Sequence, residues 1–429
     1  MKIPKLLAVF ADLPSTIEPP KMNSIKDRRL GKKLYITVAV IVALVTLAVA
    51  LLVTQGTAPN TNAQTEWSKT YYGDTGHAVQ TSDGGYAIAG SNASIMYPAW
   101  ERAPILIKTD ASGELLWNKT FDATGHVATS SIVQTKDGGY ALSGTNIGPP
   151  TMNPVWSGWL IKTDGRGTVQ WNKTFGLPLQ TCYVIQGSDG NYVLTGYATN
   201  ELNGDDTVLM KVNAQGNLLW TKTFGENSSK LLAISLVEAN DGGYVLEGCW
   251  DRDGWLAKTD ANGNLQWSQT YHPVGYTTFP VYSIAKTKDG GYILTGANIN
   301  GGWLVKTDSN GNTEWIKTLP VNALVRSVTQ IADGGYVAVG AYARQAYVVR
   351  TDASGTLLYN TSYGEVSANL SSYASSVVPT NNGGFAIAGT LNQYSPTTIE
   401  GFNVTPQVGN NVWLAKFPLG TNPTSTGSP

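Results

Sequence analysis

Beyond residue 64 the apolar residues fall in short runs closed by glycine, aspartate or asparagine, with no amphipathic helical spacing. One stretch shows the unit. Ser131-Ile-Val-Gln-Thr135 is a strand, and Asp137-Gly138-Gly139 is a tight turn in which glycine supplies positive φ. Tyr140-Ala-Leu-Ser-Gly144 returns antiparallel. After a variable loop come Trp159-Leu-Ile-Lys-Thr163, a second turn at Asp164-Gly-Arg-Gly167, and Val169-Gln-Trp171-Asn-Lys-Thr-Phe175. These four strands are named A to D.

The unit recurs. Asp-Gly-Gly-Tyr or a close variant begins at Asp83, Asp137, Asp189, Asp241, Asp289, Asp333 and Asn382, at steps of 54, 52, 52, 48, 44 and 49 residues. Seven four-stranded antiparallel units predict an all-β, seven-bladed β-propeller over residues 65–417. The array is offset. Residues 65–72 form a strand D with nothing before it, and the last unit has A, B and C but no D. The first strand is therefore expected to complete the last blade and close the ring. Strand D carries Trp67, Trp117, Trp171, Trp220, Trp267, Trp315 and Tyr359, and strand C carries Trp159, Trp255, Trp303, Tyr347 and Trp413. A position repeated in every blade reads as inter-blade core.

The N-terminus follows a different pattern. Residues 34–54 are uncharged and almost wholly apolar, and at about 1.5 Å per residue they span a bilayer core. Lys26, Arg28, Arg29, Lys32 and Lys33 precede them. The positive-inside rule then makes residues 1–33 a cytoplasmic basic tail, 34–54 a signal-anchor helix and 55–64 a linker. The propeller is then expected to be extracellular on a single-pass membrane protein. Secretion after signal cleavage is the alternative. Met22 is an alternative start, and residues 418–429, rich in Pro, Thr, Ser and Gly, are expected to form a disordered tail. Sequons at Asn92, Asn118, Asn172, Asn227, Asn360, Asn369 and Asn403 fit an exported surface.

Charge narrows the partner. With 29 Lys+Arg against 30 Asp+Glu the chain lacks the basic excess that nucleic acid requires. Cys182 and Cys249, in different units, make no disulfide framework and read as buried thiols. His77, His126 and His272 show no zinc spacing. The turn at Asp260-Ala-Asn-Gly263 is too short for a calcium loop, so no metal is expected.

The phrase Lys258-Thr-Asp260-Ala-Asn-Gly263-Asn-Leu-Gln-Trp267, with Lys108–Trp117, Lys162–Trp171 and Lys306–Trp315, resembles the tryptophan-containing repeat of quinoprotein-type propellers. Dehydrogenases of that family hold pyrroloquinoline quinone (PQQ) with a vicinal cysteine pair and a calcium site, usually on eight units. This chain has seven units and no adjacent cysteines, so the repeat carries over without the cofactor. It is also similar to exported, membrane-anchored archaeal and bacterial propeller repeat proteins of unknown activity.

Departures from the repeat mark candidate chemistry. The B–C loop is long in units one (Ser91 to Pro104), two (Thr145 to Gly158) and seven (Thr390 to Asn411), which are neighbours in a closed ring. Of the thirteen tryptophans, only Trp100, Trp156 and Trp250 lie off the repeat positions, all in B–C loops. His77 and His126 fall in the D–A crossovers, on the same face. The expected ligand site therefore gathers Tyr97, Trp100, Glu101, Arg102, Trp156, Tyr394, His77 and His126 for a protein or glycan partner. Glu247 stands where other units hold Ala89, Ser143, Thr195, Thr295, Val339 and Ala388. With Asp251 or Asp253 it is the one carboxyl pair to test for glycoside hydrolysis, and an ion pair with Arg252 is the structural alternative. The function expected is a non-enzymatic binding or scaffold module. A polysaccharide-acting propeller enzyme is the alternative, and a quinone-dependent dehydrogenase ranks behind both.

Overall fold

The computed structural model describes residues 65–419, less 93–101, 123–125, 148–155, 177–178, 200–204, 226–229, 252, 272–280, 299–300, 320–321, 365–369, 395–396, 400–401 and 405–406. The chain divides into two units, 1–59 and 60–429. The expected tail, anchor helix and linker lie outside the described residues. No helix among the described residues is long and apolar enough to cross a membrane.

Among the described residues the strands form seven four-stranded antiparallel sheets and one small hairpin. Blade two is representative: A is His126–Gln134, B Tyr140–Ile147, C Trp156–Thr163 and D Val169–Thr174. Blade seven takes A (Leu370–Pro379), B (Phe385–Tyr394) and C (Gln407–Phe417) from the end of the array. Its D strand is Trp67–Tyr72, which pairs with C from Trp67 opposite Lys416 to Tyr72 opposite Asn411.

The turn chemistry explains the sheets. In blade two the Gly138 amide bonds the Thr135 carbonyl at 2.8 Å, and the Thr135 amide bonds Gly139 at 2.9 Å. Gly138 has φ +81°, a conformation that glycine adopts without steric cost. The Asp137 carboxyl takes the Gly139 amide at 3.1 Å. In the C–D turn, Asp260 Oδ1 accepts the amides of Asn262 and Asn264 at 2.9 and 2.8 Å.

Seven clusters of buried apolar residues lie one at each blade interface. The cluster joining blades seven and one unites Val412, Leu414 and Ala388 with Ala78, Ile88 and Ile107. There the last blade meets the first and the ring closes. Ser376 Oγ accepts the Ala78 amide at 3.3 Å, and the Asn381 amide bonds Gln80 at 2.8 Å across the same seam.

The strand D aromatics sit at these interfaces. Trp117 of blade one meets Tyr140 of blade two edge-on at 6.1 Å, and Trp67 meets Tyr86 at 5.6 Å. Each of the six strand D tryptophan rings also rests on the C–D turn glycine of the next blade. A Cβ on Gly167 would fall 2.8 Å from Trp117 Cζ3. The strand C tryptophans are buried more deeply still, with Trp303 and Trp413 among the largest fully buried side chains.

Candidate functional site

The face carrying the B–C loops and D–A crossovers departs most from the repeat. In blade seven, strands B and C run ten and eleven residues, where strand C of blade one (Pro104–Thr109) has six. Much of the expected long loop is thus strand. Beyond it, Thr397–Ile399 pairs with Phe402–Val404 in a hairpin. Tyr394 ends strand B opposite Gln407.

In blade one, Tyr97, Trp100 and Glu101 lie outside the described residues. The base of their loop is fastened. The Asn92 amide bonds the Ala103 carbonyl at 2.8 Å, and the Ala103 amide returns to Asn92 Oδ1 at 2.6 Å. Arg102 Nη1 holds Asp74 Oδ2 at 2.9 Å. Asp74 is buried at the start of strand A, so the ion pair ties the base of the loop to that strand while leaving about a third of the Arg102 side chain exposed.

In blade two, His126 opens strand A opposite Ile147, and Ile147 faces Trp156, the first residue of strand C. One row of the sheet therefore carries His126 and Trp156 on either side of Ile147, with backbones about 10 Å apart at ordinary strand spacing. Trp156 is half-buried. A cavity of about 230 Å³ opens beside them between blades one and two, lined by Pro104, Asp122, Asn146, Trp159 and Asn172 among others. That is below the size of an ordinary small-molecule pocket.

Three expectations change. His77 lies within strand A of blade one (Asp74–Gln80), not in the crossover, and its ring turns inward. It meets Tyr183 of blade three edge-on at 6.1 Å, with blade two between them. Such a contact is made only toward the ring axis. Burial, and then the Arg326 charge, lower the His77 imidazole to about 4, so it is neutral near pH 7. Trp250, at the end of strand B in blade four (Tyr244–Trp250), packs against the core shared by blades three and four.

Glu247 is fully buried in that same strand. Neither carboxyl oxygen meets a hydrogen-bond partner of normal geometry among the described residues. Burial raises it well above the usual carboxylate range, and the Ser283 amide of blade five, the nearest pull the other way, is too weakly placed to reverse this. Glu247 is therefore a neutral acid. Asp251, at φ +55°, caps the Lys230 amide at 2.8 Å at the hairpin tip, and Asp253 pairs opposite Trp250. Three strand residues lie between Glu247 and Asp251 at the hairpin tip, Asp253 is three rungs along the ladder from Glu247, and Glu247 itself is fully enclosed, out of reach of the substrate that two glycosidase carboxyls must flank. The fold does not assemble the catalytic pair.

Nearby, Cys249 Sγ accepts the Val281 amide at 3.4 Å, and burial pushes the thiol up to about 12. Burial and then the Glu247 carboxyl push the Tyr183 phenol up to about 12. The meeting of His77 with Tyr183 was not visible in sequence. The one signal was that His77 and Tyr183 take a strand A position that is serine in the other five units, at Ser131, Ser235, Ser283, Ser327 and Ser376.

No family model matches the chain, and no curated protein matches it. Solved structures do. A streptogramin B lyase is similar at TM-score 0.53 and 13% identity, over 82% of this chain and 97% of that one. The WD40 domain of Neurospora crassa Pan2 is similar at TM-score 0.53 and 8% identity, over 84% and 99%. Virginiamycin B lyase of Staphylococcus aureus gives 0.51 and 11%, over 81% and 98%. At these identities the likeness is one of fold: the chain is a seven-bladed propeller.

Proposed function

We propose that the chain is a binding or scaffold module that takes a protein partner on its B–C loop face, in the sector formed by blades seven, one and two. The observation that carries this is the blade seven arm. Strands Phe385–Tyr394 and Gln407–Phe417, with strand A still paired as far as Leu370 opposite Gln393, run beyond the end of strand D at Tyr72 and lead to a hairpin, Thr397–Ile399 with Phe402–Val404. An extended sheet arm on blade seven, with half-buried Trp156 and a small cavity on blade two, suits a broad contact better than an enclosed substrate. The reading invokes no cofactor and no catalytic group.

The uncharged segment 34–54 and the basic residues before it support tethering to a membrane with the propeller outside. The test is capture by the full-length chain in mild detergent, with crosslinking to identify the partner. Trp156→Ala, and replacement of residues 395–406 by a two-residue turn, should each weaken capture by at least tenfold. Capture unchanged in both variants would overturn the sector. Capture of glycan alone would replace the protein partner.

A further inference from the structure

All seven strands A break register at the same level. The breaks fall between Asp74 and His77, Thr129 and Ser131, Gln180 and Tyr183, Ala233 and Ser235, Val281 and Ser283, Val325 and Ser327, and Ala374 and Ser376. Bulges aim side chains out of the ladder. Because strand A is innermost in every blade, these bulges ring the axis. The serine after the bulge is spent on the next blade. Ser283 Oγ accepts the Val328 amide at 3.4 Å, Ser327 Oγ the Val377 amide at 3.2 Å, and Ser376 Oγ the Ala78 amide at 3.3 Å.

The bulged residue itself differs from blade to blade, and blade six has Arg326. Its guanidinium lies over the Tyr373 ring of blade seven, 5.2 Å from the centroid. Arg326 is exposed although its strand is innermost, so the axial channel is open at its position. The exposure of Leu324 and Ala128, on strands A of blades six and two, marks the same opening. The Arg326 charge reaches His77 of blade one and Tyr282 of blade five. No carboxylate pairs with it among the described residues. Asp74 is engaged by Arg102, and Glu247 is neutral.

We propose that the axial channel, at the level of the strand A bulges, is a binding site for a carboxylate group. Arg326 is its cationic partner, and His77, Tyr183, Tyr282 and Tyr373 are its neutral polar and aromatic walls. A guanidinium in a confined channel favours a planar anion that accepts two parallel hydrogen bonds. The neutral imidazole and phenols add polar contacts without competing charge. The site stands apart from the loop-face reading, since it uses none of the residues on which that reading rests.

Trifluoroacetate, followed by ¹⁹F relaxation with the full-length chain in neutral detergent, tests the site. Neutral trifluoroacetamide is the control. Trifluoroacetate should bind and the amide should not, and Arg326→Gln should weaken binding at least tenfold while Arg326→Lys retains part of it. Circular dichroism checks that the variants fold. In a ¹³C-histidine sample the anion should also move the His77 titration upward, because it offsets the guanidinium charge; if Arg326→Gln fails to fold, this readout on the unaltered chain decides. Silence toward trifluoroacetate, equal binding of the amide, undiminished binding by a folded Arg326→Gln variant, or an unmoved His77 titration would each overturn the assignment. Competition by an acetylated triglutamate peptide would assign the carboxylate to a polypeptide, and failure to compete would assign it to a small molecule.

Discussion

Lys162 Nζ lies 2.8 Å from Asp137 Oδ2, with 3% of the lysine side chain exposed and 53% of the aspartate. The pair joins the two most repeated phrases of the chain: Asp137 opens Asp-Gly-Gly-Tyr, and Lys162 opens Lys-Thr-Asp. Lys108 with Asp83, Lys211 with Asp189, Lys258 with Asp241, Lys306 with Asp289 and Arg350 with Asp333 repeat it. Each cation is buried at the foot of strand C and reaches out to a half-exposed carboxylate in the A–B turn of its own blade.

Loss of the anion should therefore cost more than loss of both partners. Asp137→Ala leaves a buried ammonium with only the Thr163 carbonyl and Gln170 for company. The expected cost is about 1–3 kcal/mol. Adding Lys162→Met removes the stranded charge and should recover about 1 kcal/mol or more. A double-mutant cycle by urea unfolding measures this coupling. Equal costs for the single and double variants would show that the pair is idle.

Two glycines in blade two separate backbone strain from crowding. Gly138 and Gly167 have φ of +81° and +77°. A Cβ on Gly138 meets nothing within 4 Å, whereas one on Gly167 falls 2.8 Å from Trp117 Cζ3 and 2.9 Å from Lys119 Cγ. Alanine at either position pays about 1–2 kcal/mol for left-handed backbone. Gly167→Ala should lose a further 1–3 kcal/mol or so, because it pushes on a packed ring. Similar unfolding midpoints for the two variants would remove Trp117 from the account.

Most of the fold was legible because the repeat writes it in turn residues. Asp-Gly-Gly and Asp-x-x-Gly place glycine where φ is positive, and the tryptophans mark the interfaces. Other ties were less legible because they run between blades. The Ser82 amide bonds Gln134 and the Lys136 amide bonds Gln186, both at 2.8 Å, so the glutamine ending strand A serves the blade before it. The candidate sites fared worse. His77 reads as crossover by spacing, but the strand A bulge draws it into the ladder and turns it to the axis. The approach of Arg326 toward His77 joins residues 249 positions apart, across a ring whose closure the offset array predicts but whose side-chain meetings it does not specify.

That closure has its own signature. Asn382 replaces the repeat aspartate in blade seven, and the missing charge comes from the other end of the array. Glu66 Oε2 lies 2.7 Å from Lys416 Nζ, while Asn382 Nδ2 donates to Glu66 Oε1 at 3.4 Å. Glu66→Gln should destabilise the chain by about 1–3 kcal/mol by stranding Lys416. Asn382→Asp should rescue that variant, since it restores the anion to the position it holds in the other six blades. A double variant no more stable than Glu66→Gln would contradict this account of the seam.

Glu247 predicts an unusual pH response. Its carboxyl is held neutral by burial, with a folded-state pKa above the unfolded value. Below about pH 4 the acid is protonated in both states and adds no pH dependence. As pH rises above that, the unfolded chain ionises while the folded chain keeps its proton. Stability then falls, by up to about 1.4 kcal/mol per pH unit, until the folded pKa is reached. Glu247→Gln keeps the shape and the neutral polar group but cannot ionise when unfolded. The variant should match the parent near pH 4 and exceed it by a margin that widens toward neutrality. Urea midpoints at pH 4.5 and 7.5 measure that margin. Parallel pH dependence in the two proteins would mean that Glu247 ionises in the fold, and that a partner for its charge exists in the core between blades four and five.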